Sequence, residues 1–399
     1  MTAAPARLVR NPHIGTTQSP TRPGRAPLAF HRRLPGYAAT PLVDAPGLAR
    51  ELGLGRVLAK SETDRWGLPS FKMLGASWAC YRALVGRMGQ EPAWSDVGEL
   101  ARAVAGLGPM TLAAATDGNH GRAVAHMANL LGLGAEILVP GGTAPARIAA
   151  IEGEGAKVTV VDGDYDEAVA RSAGLAGDRC LVVSDTSWPG YTEVPGWVVE
   201  GYSTLWWEVD EALDRAGLGR PDVVVVPVGV GALAAAAVAH YASTGDPDRP
   251  MVVGVEPSGA DCVLRSIEAG EMIHVPGPHR SIMAGLNCGT PSLVAWPALV
   301  AGLDWCVAID DDRARSAMVA LAGEGIVAGE TGAAALGGLA ALVERTGAGG
   351  DLGLGPATTA LVLCTEGATE PEAYTAIVGR RPEDVGPAPP PGAREPPAR

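Results

Sequence analysis

The sequence VPVGVGALAAAAVAHY, residues 226–241, joins the end of an apolar strand to an alanine-rich helix through a glycine-containing turn. Gly229 and Gly231 let the backbone expose consecutive amides where the helix begins, and the helix dipole adds positive potential there. This arrangement predicts a binding site for a phosphate group. The same letters also fit the dinucleotide-binding fingerprint, with Glu256 at the end of the next strand, where an acid would contact a ribose. A single match of this kind indicates phosphate binding and leaves the phosphate-bearing ligand open.

Strands and helices alternate on both sides of this turn. Before it, the pattern predicts strands at 57–60, 111–115, 136–140, 157–161 and 181–184, and helices at 75–88, 121–131, 144–152 and 164–176. From residue 222 onward it predicts strands at 222–228, 251–256, 305–309 and 361–364, and helices at 232–241, 311–324 and 332–346. Such alternation is typical of parallel sheets with right-handed crossovers. The predicted fold class is therefore α/β, with two open, mostly parallel α/β/α domains and a ligand cleft at the carboxyl ends of the strands.

Charge and composition exclude several classes of function. The net charge of −13 argues against a polyanionic partner such as nucleic acid. The longest apolar run, 223–239, is interrupted by Pro227, Gly229 and Gly231, so no membrane span is predicted. The first 35 residues lack the apolar core of a secretory signal. These features favour a cytoplasmic enzyme that acts on a small molecule.

The cysteines and histidines predict neither a disulfide framework nor a metal site. The six cysteines form no CxxC pair and lie among apolar neighbours, as buried reduced thiols do. A bridge between Cys262 and Cys288 stays open, because the sequence does not give their separation. The histidines show no metal-ligand spacing, so no metal is expected.

Two further turns carry polar groups near the end of a strand. In ATDGNHGRAVAHMA, residues 115–128, free amides at the helix start would bind an anion such as a carboxylate, although an ordinary capped connection is the alternative. In LVLCTEGATEPEAY, residues 361–374, the strand ends at Cys364 and Thr365. A thiol or hydroxyl there could bond a heterocyclic nitrogen or simply be buried.

Lysine occurs at only three positions of the chain, 60, 72 and 157. Arginine, which supplies the other basic side chains, stays protonated and cannot act as a neutral amine nucleophile. Lys60 and Lys157 lie at strand ends and are predicted to be surface charges. Lys72 lies in SFKMLGASWA, residues 70–79, where a strand or loop turns into a helix. A lysine, an asparagine-bearing turn, a phosphate cradle and a Cys-Thr strand end, in this order, indicate one cofactor.

This order of motifs resembles that of the fold-type II pyridoxal phosphate enzymes, the superfamily of the tryptophan synthase β-subunit and threonine dehydratase. Over roughly residues 30–378 the chain is similar to the diaminopropionate ammonia-lyase family, through LPGYAATPLVDAPGLARELGLGRVLAKSE, FKMLGAS, ATDGNHGRAVA, SDTSWPGY, SIMAGLNCGTPS, GETGAAALGG and CTEGATEPE. TDGNHG is the most specific stretch, since dehydratases usually carry serine in place of Asp117. The chain departs from the family's STEGDTD at Cys364, Ala368 and Glu370, and Pro189 stands where the family often has glutamate.

The resemblance implies a role for each motif. Lys72 would hold pyridoxal 5′-phosphate as a Schiff base and, once released by substrate, act as a general base. Asn119 would bond the phenolic oxygen of the cofactor, and Cys364 or Thr365 would face its pyridine nitrogen. The amides that would cradle its phosphate are those of Gly229, Val230, Gly231, Ala232 and Leu233. The residues that would bind the substrate carboxylate are Gly118, His120 and Gly121.

The resemblance also implies the division of the chain. Residues 1–75 together with 203–380 would form a large cofactor-binding domain, and residues 76–202 a small, mobile substrate domain. Residues 1–35 contain no acidic side chain and predict an irregular arm lying over the body. The proline-rich residues 381–399 predict a disordered tail. Family members are usually homodimers, so a homodimer is expected.

The implied reaction is the elimination of ammonia from 2,3-diaminopropionate. This substrate carries an ammonium group at Cβ, and the carboxylates of Asp117 and Asp185 would stabilise that charge or shuttle its proton. If Lys72 takes the α-proton from one enantiomer, Asp117 is the candidate base for the other. The alternative is another pyridoxal phosphate-dependent β-elimination or β-replacement, such as serine or threonine dehydration. A nicotinamide-dependent dehydrogenase and a catalytically silent binding protein on the same fold are the readings from other classes.

Overall fold

The computed structural model describes residues 5–15, 20–116, 118–163, 165–242, 246, 248–346 and 352–386, and the structural statements below concern these residues. The strands are β1 (Arg7–Arg10), β2 (Leu42–Asp44), β3 (Arg56–Ser61), β4 (Thr111–Ala115), β5 (Gly134–Pro140), β6 (Lys157–Val161), β7 (Cys180–Val182), β8 (Val223–Pro227), β9 (Met251–Pro257), β10 (Trp305–Ile309) and β11 (Thr359–Cys364). The helices are α1 (Ala26–His31), α2 (Pro46–Leu52), α3 (Lys72–Met88), α4 (Val97–Ala105), α5 (Asn119–Leu131), α6 (Pro145–Glu152), α7 (Tyr165–Ala173), α8 (Glu193–Ala216), α9 (Ala232–Tyr241), α10 (Cys262–Ala269), α11 (Trp296–Gly302), α12 (Asp311–Gly323), α13 (Ala334–Thr346) and α14 (Pro371–Val378).

The predicted alternation of strands and helices is confirmed. Each predicted element is present, and its ends lie within three residues of the predicted ones. Strand β8 shows why the apolar runs fold in this way, because all five of its residues are buried. A strand that is buried on both faces is typical of parallel sheets covered by helices. The α/β fold class follows from this pattern.

The described strands form two sheets. The larger has the order β1-β10-β9-β8-β11-β3-β2, and the smaller has the order β6-β5-β4-β7. Neighbouring strands are parallel, except that β1 and β2 run antiparallel to β10 and β3. The carboxyl ends of parallel strands meet at one edge of a sheet, which is where ligands bind in open α/β folds. The segments that follow β3, β8 and β11 in the large sheet, and β4, β5 and β7 in the small one, therefore hold the candidate site.

Helices α3 and α8 pack closely against each other where the chain passes between the two sheets. A Cβ atom on Gly201 would lie 2.5 Å from the carbonyl oxygen of Leu74, and one on Gly75 would lie 2.5 Å from the Tyr202 ring. The predicted domain boundaries after residues 75 and 202 fall at this crossing. Helix α8 is absent from the predicted elements, because a proline and two glycines lower its helical propensity.

The N-terminal arm is more regular than predicted. Its residues 7–10 form β1, because their backbone pairs with β10 at the edge of the large sheet. Residues 26–31 form α1. The arm does lie over the body, since the guanidinium carbons of Arg22 and Arg25 lie 4.2 and 4.3 Å from the centre of the Trp207 ring. Cation–π contacts and the β1 pairing thus attach a segment that sequence composition alone marks as irregular.

The C-terminal end of the described chain is a short 3₁₀ helix, Pro382–Asp384. Residues 387–399, which contain most of the predicted disordered tail, lie outside the described residues. Among the helices of the described residues, none combines the length and the apolar character that a transmembrane segment requires.

Lys60 is not the surface charge that its place at a strand end predicts. Strand β3 lies inside the large sheet between β11 and β2, so the side chain is only 1% exposed. Its Nζ donates to Glu208 Oε2 at 2.7 Å. Arg65 also bonds Glu208 and forms a two-nitrogen contact with Glu62 at 2.6 and 2.7 Å. We call these four residues, Lys60, Glu62, Arg65 and Glu208, the buried charge cluster.

Candidate active site

A cavity of about 1110 Å³ lies where the carboxyl ends of the two sheets face each other. Its walls come from the segments after β4, β5 and β7 on one side and after β8 and β11 on the other. The loop 274–291 adds a further wall. The predicted site residues that line it are Lys72, Asn119, His120, Asp185, Gly229, Val230, Gly231, Ala232, Leu233 and Thr365. The structure therefore brings together motifs that are up to 293 positions apart in the sequence.

Lys72 is the first residue of α3, and its side chain enters this cavity. The Nζ atom donates to Asp185 Oδ2 at 2.6 Å. The side chain is 23% exposed, so a small molecule in the cavity can reach the amine. The start of α3 is fixed next to the end of β11, because the amide of Phe71 donates to the carbonyl of Thr365 at 3.3 Å. The Lys72 amine and the Cys-Thr strand end are thus next to each other in the fold.

Asp185 is a buried carboxylate that the site keeps ionised. Burial by itself would raise its pKa, but the positive charge of Lys72 and the His120 ring outweigh burial and hold the pKa well below its usual range. Its Oδ1 atom also accepts a hydrogen bond from the Tyr165 hydroxyl at 3.4 Å. His120 has its Nδ1 3.8 Å from Asp185 Oδ2, while its Nε2 donates to the carbonyl of Val183 at 2.7 Å. The imidazole is therefore held in place beside the carboxylate.

The turn after β8 has the geometry of an anion cradle. Gly231 precedes α9 with φ +96°, and no side chain caps the helix start, so the first amides stay available to a ligand. A Cβ on Gly229 would lie 3.1 Å from Cys288 Sγ and from the Gly285 carbonyl oxygen. The absence of a side chain at Gly229 keeps this part of the cavity open to a phosphate group, whereas a Cβ on Gly231 would lie 2.5 Å from Leu299 in the core.

At the end of β11, the structure distinguishes Cys364 from Thr365, which the sequence leaves as alternative partners of a heterocyclic nitrogen. Thr365 lines the cavity, and its buried Oγ1 has no hydrogen-bond partner in the structure. Cys364 packs instead in the core of the large sheet and is absent from the cavity wall. Burial raises the pKa of its thiol to about 12, so it stays protonated. Of the two, the threonine hydroxyl is the group that can meet a heterocyclic nitrogen.

The turn after β4 places Asn119 and His120 on the cavity wall, whereas Gly118 and Gly121, which were predicted to bind the substrate carboxylate, are absent from that wall. The amide of Gly118 donates to Thr116 Oγ1 at 2.9 Å, and a Cβ on Gly121 would lie 2.3 Å from Thr116 Cγ2. Asn119 begins α5, and its Nδ2 donates to Glu366 Oε2 at 2.5 Å. Asp117, which the sequence places in a catalytic role, lies outside the described residues.

Several cavity residues with polar side chains were not among the predicted site residues, and three of them are Tyr165, Arg147 and Glu366. Tyr165 and Arg147 come from helices α7 and α6 of the small sheet's half, and Glu366 follows Thr365. Arg147 Nε donates to Glu370 Oε1 at 3.1 Å, across the cavity. The rule that ligand groups follow the carboxyl ends of parallel strands could have drawn attention to Arg147, because α6 starts directly after the loop that follows β5.

Other chemistries find little support in this geometry. Glu256, which a dinucleotide site would need at the ribose, is 1% exposed and accepts the amides of Val263 and Leu264 at the start of α10. None of the six cysteines is in a disulfide bond, including Cys262 and Cys288. The described residues contain no cluster of histidine, cysteine, aspartate or glutamate suited to a metal ion.

The residues present fit pyridoxal phosphate. The cavity offers an accessible amine on Lys72, a glycine cradle that a Cβ would fill, and a buried threonine hydroxyl without a partner. These three features match the aldehyde, the phosphate and the pyridine nitrogen of that cofactor.

Comparisons with known proteins agree with this assignment. A family model described as pyridoxal-phosphate dependent enzyme matches residues 33–365. Diaminopropionate ammonia-lyase of Escherichia coli strain K12 is 36% identical over 358 residues, covering 88% of this chain and 89% of that protein. The crystal structure of the Escherichia coli enzyme in complex with D-serine has a TM-score of 0.86 at 32% identity, covering 94% of this chain and 98% of that one. Its complex with an aminoacrylate-PLP azomethine reaction intermediate has a TM-score of 0.84 at 32% identity, covering 94% and 97%. The chain belongs to the diaminopropionate ammonia-lyase family of pyridoxal-phosphate dependent enzymes.

Proposed function

We propose that this protein uses pyridoxal phosphate to convert 2,3-diaminopropionate and water into pyruvate and two molecules of ammonia. The observation that carries the proposal is the 2.6 Å contact between Lys72 Nζ and Asp185 Oδ2 in the cavity that also holds the glycine cradle. Family membership supports the same reaction.

Lys72 has two tasks in this proposal. It holds the cofactor covalently, and its amine, when free, takes the proton from the α-carbon of the substrate. When bound, pyridoxal phosphate supplies the electron sink that makes this proton acidic. Thr365 offers that ring a neutral hydroxyl, and the absence of a carboxylate moderates the sink, which suits elimination over transamination.

Asp185 binds the group that leaves. An ionised carboxylate in a buried site needs a cationic partner, and in the structure that partner is the ammonium of Lys72. Once the lysine amine is committed to the cofactor, the β-ammonium of diaminopropionate can take its place beside Asp185. Serine has a neutral hydroxyl at this position and would leave the carboxylate without a counter-charge.

The remaining assignments rest on position and on the family resemblance. Amides at Gly118 to Gly121 would bind the substrate carboxylate, with His120 fixing the orientation of Asp185. We keep Asp117 as the proposed base for the second enantiomer. Its neighbour Gly118 is the N-cap of α5, and the first two residues of that helix, Asn119 and His120, line the cavity.

Absorbance and product assays test this proposal. The purified protein should show a cofactor absorption band that borohydride reduction removes, and it should release pyruvate from at least one enantiomer of diaminopropionate faster than from serine or threonine. Asp185→Asn should lower kcat/KM for diaminopropionate by roughly 10-fold or more relative to serine, because it removes the charge that binds the β-ammonium. Faster turnover of serine by the unmodified enzyme would favour a dehydratase instead.

We also propose a large cofactor domain (1–75 with 203–380), a small substrate domain (76–202), a homodimeric assembly and a cytoplasmic location. The α3–α8 crossing at the boundaries supports the division, and the six free thiols support a reducing compartment. The homodimer rests on the family resemblance, and light scattering of the purified protein would test it.

A further inference from the structure

We propose that Arg147 binds the α-carboxylate of the substrate, in addition to the amides of the 118–121 turn. This inference deepens the proposed function and rests on it for the identity of the natural substrate. The starting observation is that Arg147 and Lys72 are the lysine and arginine side chains among the described residues that line the cavity. In the proposed reaction Lys72 is either bound to the cofactor or a neutral amine acting as the base, so Arg147 is the permanent positive charge that remains for an amino-acid substrate.

The position of Arg147 places its charge beside the turn that would hold a carboxylate. Its side chain is only 15% exposed, so its path is defined by packing. The methylene stem runs past Gly118, where a Cβ would lie 3.2 Å from Arg147 Cδ. Gly118 has φ +153°, a conformation that side chains rarely adopt, and its lack of a side chain lets the arginine approach. The stem is thus held against the turn that leads into Asn119 and His120, which line the cavity.

Arg147 already binds a carboxylate in this structure. Its Nε donates to Glu370 Oε1 at 3.1 Å, and Glu370 comes from the opposite side of the cavity, at the start of α14. The Glu370 side chain is 38% exposed, so solvent and ligands can compete with it. Because the guanidinium geometry suits carboxylates, a substrate carboxylate can replace Glu370 without any change of the arginine's chemistry.

The departures of this chain from the family pattern point to the same pair. Ala368 packs against the core of the large sheet, and Pro189 lies in the turn between Trp188 and Tyr191, which stack on each other. Glu370 is the departure that lines the cavity. The sequence difference that reaches the substrate space is therefore the one in contact with Arg147.

The test compares diaminopropionate with its carboxamide in four variants of the holoenzyme, two at Arg147 and one each at Arg313 and Glu370. Arg147→Met keeps the stem that packs on Gly118 and removes the charge, and Arg147→Lys keeps a charge without the planar fork. With diaminopropionate we expect Arg147→Met to raise KM about 10- to 100-fold with kcat nearly unchanged, and Arg147→Lys to restore part of the affinity. With diaminopropionamide the penalty should disappear, because the group that the arginine binds is absent.

Arg313→Met is the matched control. Arg313 is 14% exposed and pairs with Glu344 at 2.8 Å, but it lies outside the cavity wall, so its loss should leave KM unchanged. Glu370→Gln keeps the guanidinium and removes the competing carboxylate, so KM should stay the same or fall. A rise in KM equal to that of Arg147→Met would assign the effect to the ion pair itself and overturn the proposal.

Equilibrium binding separates this inference from the proposed function. Alanine and alaninamide, titrated against the cofactor absorption band, report carboxylate recognition even if diaminopropionate is not the natural substrate. Arg147→Met should weaken alanine and leave alaninamide unchanged. An equal loss for both ligands would overturn the inference, as would a drop in affinity for pyridoxal phosphate, which would place the arginine on the cofactor's phosphate.

Discussion

Lys60 and Lys72 are twelve positions apart, and each forms an ion pair of nearly the same length, yet their surroundings give them opposite capacities. Lys60 Nζ lies 2.7 Å from Glu208 Oε2 and its side chain is 1% exposed. Lys72 Nζ lies 2.6 Å from Asp185 Oδ2 and its side chain is 23% exposed, at the wall of a large cavity. Distance alone does not separate a structural lysine from a reactive one. The two kinds of lysine differ in whether a ligand can reach the amine and in how many fixed partners the amine has.

The partners explain why Lys60 cannot be reactive. Burial lowers the pKa of Lys60, but the charges of Glu208 and Glu62 oppose burial, and the carbonyl of Thr40 accepts a further hydrogen bond at 2.8 Å. In the cavity, by contrast, Asp185 lies where a ligand can reach it, and in the proposed function it exchanges Lys72 for the substrate's ammonium. The buried charge cluster is thus expected to govern stability, and the Lys72–Asp185 pair to govern activity.

Removing Lys72 is expected to have the largest effect. Lys72→Ala should lower kcat/KM by roughly 1,000-fold or more, because in the proposed function Lys72 is both the covalent anchor of the cofactor and the general base. Pyruvate release measures the activity. Borohydride reduction followed by peptide mass analysis should find no cofactor on the variant, whereas a modified lysine at position 60 or 157 would contradict the assignment.

The position of Lys72 beside the other candidate site residues could be predicted from the sequence, because it depends on local patterns. Strand–turn–helix units placed Asn119 and the glycine cradle at the carboxyl ends of strands, and the topology of parallel sheets then brought them to Lys72. The misplaced Lys60 shows the limit of this reasoning. A strand end is exposed only if the neighbouring strands and helices leave it so, and β2 and α8 cover it.

Contacts between distant segments account for the remaining misses. The Arg147–Glu370 pair joins residues 223 positions apart, and although the strand-end rule points to the region of Arg147, no local pattern predicts its pairing with Glu370. Thr365 and Cys364 are both plausible from sequence, and only the register of β11 turns one to the cavity and the other to the core. Backbone pairing thus decides which neighbour is functional.

Breaking the buried charge cluster should have a large effect on stability. Glu208→Gln removes the shared partner of Lys60 and Arg65 and leaves buried positive charge uncompensated, so we expect a loss of about 3–5 kcal/mol in the free energy of unfolding. Urea unfolding measures this loss. The kcat of the folded fraction should stay near that of the unmodified enzyme, and a selective fall in kcat would show that the cluster also acts on the site.

His31 connects the cluster to the helix that starts with Lys72, and its effect should depend on pH. Burial, helped by the charge of Arg65, lowers its pKa from 6.5 to about 3, and its Nε2 lies 3.0 Å from the Leu74 carbonyl oxygen. Between pH 3 and 6.5, His31 is therefore protonated in the unfolded chain and neutral in the folded protein. Stability should therefore fall as pH drops from 6.5 toward 3, with this group contributing at most about 1.4 kcal/mol per pH unit.

The variant His31→Gln isolates that contribution. It keeps a hydrogen-bonding side chain but cannot titrate, so its free energy of unfolding should fall less steeply than that of the unmodified protein between pH 6.5 and 5. Glu208, whose pKa is lowered to about 2 because Arg65 and Lys60 outweigh burial, loses its contribution only below about pH 4.5, outside this window. Parallel curves for the two proteins would show that the imidazole does not contribute.

The smallest effect should come from the third lysine, which completes the comparison. Lys157 Nζ lies 2.9 Å from Glu136 Oε1, close to the distances of the other two pairs, but its side chain is 70% exposed on β6. Water solvates the Lys157 ammonium in the folded protein almost as well as in the unfolded chain, so Lys157→Ala should change the free energy of unfolding by less than about 0.5 kcal/mol and leave kcat/KM unchanged. Urea unfolding of Lys157→Ala and Glu208→Gln compares the free energy lost when an exposed and a buried ion pair with nearly the same N–O distance are broken. If Lys157→Ala cost as much as Glu208→Gln, pair distance and not burial would determine the energetic weight of an ion pair in this fold.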